Sequence, residues 1–111
     1  METTIFEKAV ILDFSKLVEY SANGIVSKRV LEKNTGNITL FAFDKGQKLS
    51  EHTAPFDAMV QVIEGEGEIV INGKSFFLDN GKSIIMPANI PHAVNAISKF
   101  KMLLTMIKET L

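Results

Sequence analysis

From Ile25 onward the chain is repeatedly interrupted by residues that reverse the backbone. Asn34-Thr35-Gly36-Asn37, Asp44-Lys45-Gly46, Glu64-Gly65-Glu66-Gly67, Asn72-Gly73 and Asp79-Asn80-Gly81 cut it into short apolar, β-branched runs. Gly, Asn and Asp serve this purpose because they tolerate positive φ or bond their own backbone. Turns every 8–12 residues or so are the mark of a sandwich or barrel. The pattern predicts strands over 25–33, 38–43, 48–53, 58–63, 68–71, 74–78, 83–86, 92–96 and 100–108. Asn72-Gly73 lies between two of these runs and predicts a hairpin, since a type I′ turn needs positive φ at both central residues.

Residues 1–24 read as a lead-in and 25–111 as one barrel domain, with no room in 111 residues for a second. Asp13 to Tyr20 predicts a short helix with Asp13 as N-cap. Ala22-Asn23-Gly24 would end it, with Gly24 in the left-handed position.

Hydrophobic residues make up 46% and charged residues 23%, which excludes a disordered chain. The net charge of −1 argues against a nucleic-acid binder, which would carry a basic excess. The chain has no cysteine, so disulfides, zinc ribbons, thiol nucleophiles and iron–sulfur clusters are excluded. Met1 to Lys8 lacks the positive start of a signal peptide, and the longest apolar runs are too short for a membrane span. A cytoplasmic protein without membrane contact is the expectation.

Two predicted strands are apolar on both faces. Phe100, Met102, Leu104 and Met106 share one face at period two, while Leu103 and Ile107 lie on the other. The 38–43 strand is similar. An outer sheet face is usually wet. The surplus predicts a homodimer, the alternative being that the lead-in covers the face.

The stretch from Gly46 to Ala96 resembles the cupin family. Gly46 opens the first motif, and His52 falls at its first histidine. Ala54 stands at the second histidine, Ala58 at the glutamate, and Gly65 closes the motif. In the second motif Gly81, Pro87 and His92 fit. Asn89 replaces a glycine, which is mild because Asn tolerates the left-handed conformation. Ala96 takes the final Asn position, with Asn95 one residue early. The resemblance implies an all-β fold, an antiparallel double-stranded β-helix or jelly-roll barrel, here with a short N-terminal helix. It also implies that His52 and His92 face the barrel mouth.

In typical cupins four side chains at these positions bind one divalent metal. Imidazole suits Fe, Mn, Ni, Cu and Zn, and a carboxylate adds charge to hold the ion. Here only His52 and His92, the chain's two histidines, remain. Asp57 precedes the glutamate position, and a bulge at Pro55-Phe56 would turn it inward as ligand or base. Otherwise its side chain caps that turn.

Glu64, Glu66 and Glu68 read as a solvated turn, since they lack the spacing of a calcium loop. Three functions are expected, two from the resemblance and the departures from it and the third from the two-faced apolar strands. The first is a module that binds a small ligand through His52, His92 and Asp57, its metal site weakened or vacated. Loss of the carboxylate makes an anionic ligand easier to accept there. The second is a metal-dependent dioxygenase, decarboxylase or isomerase acting on an oxygen-rich metabolite. The third is a non-catalytic dimeric interaction module.

Overall fold

The computed structural model describes residues 6–109. Residues 1–5 of the lead-in and 110–111 of the barrel domain lie outside the described residues, as does the start of the segment searched for an export signal. Among the described residues the chain forms nine strands: β1 (Ile25–Lys33), β2 (Gly36–Phe43), β3 (Lys48–His52), β4 (Asp57–Glu64), β5 (Gly67–Ile71), β6 (Lys74–Leu78), β7 (Ser83–Met86), β8 (His92–Ala96) and β9 (Phe100–Ile107). They pair antiparallel into a five-stranded sheet, β1-β2-β9-β4-β7, and a four-stranded sheet, β3-β8-β5-β6. This is the jelly roll that the family resemblance implied, and it agrees with the sandwich or barrel expected from the turn spacing. The β5–β6 hairpin turns on Asn72 (φ 51°) and Gly73 (φ 80°), as a type I′ turn requires. Asn89 sits at φ 64°, the left-handed conformation that a glycine would otherwise supply.

Period-two alternation sends one face of each sheet inward. Phe43, Val60, Ile69, Val94, Phe100 and Met102 meet between the sheets as the main core. The rings of Phe43 and Phe100 stack at 4.7 Å, tying β2 to its neighbour β9. No helix in the described residues is long and apolar enough to cross a membrane.

The second apolar face of β2 and β9 finds its cover within the same chain. Phe6, Leu12, Phe14, Leu17, Val18 and Tyr20 pack over Leu40, Ala42 and Leu103. The alternative reading of the two-faced strands therefore holds for this part of the sheet. Ile85 and Ile107 remain exposed beyond the lead-in's reach.

The predicted helix over 13–20 does not form. Only a single 3-10 turn, Phe14–Lys16, is present, and Asp13 makes no side-chain cap to the backbone. Its carboxylate instead accepts from Ser15 Oγ at 2.9 Å. So short a segment cannot carry the cost of helix nucleation by itself. Leu12, Phe14, Leu17, Val18 and Tyr20 also do not share one helical face, and an extended path lets all of them reach the sheet. The left-handed residue that ends the lead-in is Asn23 (φ 58°), not Gly24.

A polar clasp fastens this cover. Lys101 is buried on β9, with its Nζ donating to the Ser15 carbonyl at 2.6 Å. The same Nζ lies 3.7 Å from Glu64 Oε2 and 4.9 Å from the centre of the Tyr20 ring. Tyr20 Oη donates to Glu64 Oε2 at 2.7 Å. Glu64 is thus no solvated turn residue. Neither is Glu68, whose carboxylate accepts from Ser75 Oγ and Asn95 Nδ2.

Burial, then the hydrogen bond to Glu64, then its negative charge all push the Tyr20 phenol well above its ordinary value of 10.0. The folded state therefore favours the neutral phenol. The stability this brings is complete below pH 10 and is lost as pH rises from there toward the raised folded value, because only the unfolded chain ionises in that window. Urea unfolding of Tyr20→Phe beside the parent is expected to show the parent's stability falling faster than the variant's above about pH 10. A difference that stays constant from about pH 8 to pH 11 would refute the clasp's contribution.

Candidate functional site

The site begins with an irregularity in β3. Leu49 pairs with Val94 and His52 with His92, so β3 carries one residue more than β8 over this interval. Residues three apart on a regular strand point to opposite faces. The extra residue is a β-bulge, and it turns both side chains the same way. Leu49 packs against the core, and His52 meets His92.

The two imidazoles meet edge to face, with centroids 4.4 Å apart and planes at 66°. His92 is buried and His52 exposed, so the pair spans the boundary between core and solvent. Each ring is held the same way. His52 Nδ1 donates to the Ser50 carbonyl at 2.8 Å, and His92 Nδ1 donates to the Ile90 carbonyl at 3.1 Å. A carbonyl only accepts, so the proton of each neutral ring is fixed on Nδ1. Both Nε2 atoms are then free lone-pair acceptors. Among the described residues neither has a hydrogen-bond partner. The one fully sealed side-chain polar atom without a partner there is Arg29 Nε, so His92 Nε2 reaches solvent.

Asp57 is placed elsewhere. It starts β4 with Ala58 buried and its own side chain exposed, on the opposite face of the pleat. Its Oδ1 accepts the Ala88 N–H at 2.8 Å. Together with the Asn89 N–H on the Ala54 carbonyl at 2.7 Å, this ties residues 54–57 to the loop before His92. The carboxylate thus caps that loop rather than the Pro55-Phe56 turn. It also borders a surface cleft of about 530 Å³ lined by Pro55, Phe56, Ala88, Ile107, Lys108 and Glu109, with neither imidazole on its wall.

Two imidazoles are the right chemistry for a transition metal but too few for a resident catalytic one, which normally has three protein ligands. Ala54 and Ala58 supply nothing at the other positions. Among the described residues no group of three or more His, Asp or Glu side chains is placed to hold a metal. The donor set does not fit such a site.

Residues 39–108 match the family model described as the cupin domain. This chain belongs to the cupin family. Among solved structures, this cupin is similar along its whole length to a conserved Streptococcus pyogenes protein of unknown function, at 35% identity and TM-score 0.91, covering 100% of this chain and 98% of that one. A cupin 2 conserved barrel domain protein from Leptotrichia buccalis is 44% identical over 85% of this chain and 46% of that one, with TM-score 0.82. A cupin superfamily protein from Desulfitobacterium hafniense shares the fold at 23% identity and TM-score 0.88, covering 98% and 100%. No curated protein matches. Many cupins bind transition metals, and this cupin keeps only the two histidines of that donor set.

The row of cross-strand partners continues past the histidines. His92 pairs with Ile71 on β5, and Ile71 pairs with Lys74 on β6. Sequence pattern alone passed over Lys74. The signal was present, because an Asn72-Gly73 two-residue turn sets Lys74 opposite Ile71.

Proposed function

We propose that this cupin binds a small molecule across the rim of its barrel, with His52 and His92 accepting hydrogen bonds from the ligand and no resident catalytic metal. The observation that carries this reading is the matched tethering of the two Nδ1 atoms on adjoining rings, which leaves both Nε2 acceptors without a protein partner. Such a pair suits a ligand that presents hydroxyl or N–H donors. Phe43, Val60, Met86 and Val94 fill the space between the sheets, so the ligand lies at the rim rather than deep inside. A few polar groups set in an apolar wall are the usual make-up of a small-ligand site.

Mass spectrometry of metal content tests the reading, on protein purified without a histidine tag or chelator. Well under one equivalent of Fe, Mn, Ni, Cu or Zn is expected, and His52→Ala is expected to leave that content unchanged. Content near one equivalent in the parent, abolished by His52→Ala, would overturn the reading and restore the metal-dependent enzyme.

A further inference from the structure

We infer that the rim selects a negatively charged ligand, a small hydroxylated carboxylate, and that Lys74 is the residue that selects it. This rests on the histidine-centred binding reading above. Directly opposed residues on neighbouring strands share a face. His52, His92, Ile71 and Lys74 are successive cross-strand partners on β3, β8, β5 and β6, so the four form one row across the inner face of the four-stranded sheet. Ile71 packs against the core, and so does Phe76, which shares a face with Lys74 two residues along β6.

Lys74 Nζ is folded back over the Phe76 ring, 5.2 Å from its centre. That contact draws the ammonium over a ring packed on the inner face of the sheet, while Lys74 itself stays exposed at the rim and open to a ligand. Among the described residues no carboxylate lies within ion-pairing distance of it, and the other polar side chains on this row are the two imidazoles. Two inter-strand spacings, roughly 10 Å, separate the His92 and Lys74 backbones. A short hydroxylated chain spans that gap once both side chains reach inward. Its carboxylate would meet the ammonium in a charge-assisted bond, and its hydroxyls would donate to the Nε2 atoms. A neutral polyol satisfies only the second half of this arrangement.

D-Gluconate and D-sorbitol separate the two halves, since they share a hydroxylated six-carbon chain and differ at the carboxylate. Titrations at low salt, followed by the imidazole and backbone NMR signals, are expected to show gluconate binding about tenfold more tightly than sorbitol. Both ligands should move the His52 and His92 signals, and only gluconate those of Ile71 to Phe76. Lys74→Met should reduce the preference to near unity without weakening sorbitol, Lys74→Arg should restore it, and salt should erode it in the parent. Equal affinities in the parent, with the imidazole signals still moving, would overturn the role of Lys74 and leave the histidine reading intact. Imidazole signals that stay still with both probes would overturn both.

Discussion

Gly65→Ala is expected to lose roughly 3–5 kcal/mol of folding stability, seen as a fall in melting temperature of roughly 10–20 °C. Two independent costs coincide at this position. Gly65 sits at φ 81°, which an L side chain adopts only under strain. An added Cβ would also lie 2.0 Å from the Lys99 carbonyl oxygen and 2.6 Å from Phe100 Cβ. The first obstacle is backbone and cannot rotate aside. Gly73 has a similar φ of 80° but nothing within 4 Å of the same Cβ, so Gly73→Ala isolates the conformational cost. The difference between the two variants reports the clash. Equal losses would mean that the turn after β4 gives way freely.

Phe100→Ala is expected to cost about as much, roughly 3–5 kcal/mol, by leaving a large cavity. Its ring is fully buried and stacks on Phe43. On its other side a Cβ built on Gly67 would come within 2.7 Å of the ring, so the close approach of β5 depends on the absence of a side chain there. This makes the two positions interdependent. In the parent, Gly67→Ala pushes against an aromatic ring held in the core and is strongly destabilising. In the Phe100→Ala background the added methyl enters empty space, and the same substitution is expected to be nearly neutral. Urea unfolding of the four proteins in this cycle measures the coupling, and strict additivity would contradict the packing described.

The strands were legible because their signals are local. Asn72-Gly73 needs nothing beyond its two φ angles to define a hairpin, and 74–78, 83–86 and 92–96 follow from turn to turn. The two histidines were legible through motif spacing, which survives the loss of both neighbouring ligands at Ala54 and Ala58. What escaped is long-range. Glu64 looks like one of three acidic residues around two glycines until Tyr20, 44 residues earlier, is seen to donate to it. Asp57 looks free to turn inward until the Ala88 amide is found on its carboxylate. The lead-in looked helical by its N-cap candidate, yet the sheet's uncovered face determined its shape. The bulge in β3 has no residue signature at Ser50 and Glu51, although it decides where His52 points.

The order of strands in the larger sheet has a kinetic consequence. The strand last in sequence, β9, lies at its centre and pairs with both β2 and β4. Without residues 100–107, β1 with β2 and β4 with β7 are two separate ribbons that share no strand pairing. Closing them requires contacts far apart along the chain, the condition that makes β-rich domains fold slowly. The apolar faces of β2 and β4 wait uncovered during that interval, when edge-to-edge association is the competing reaction.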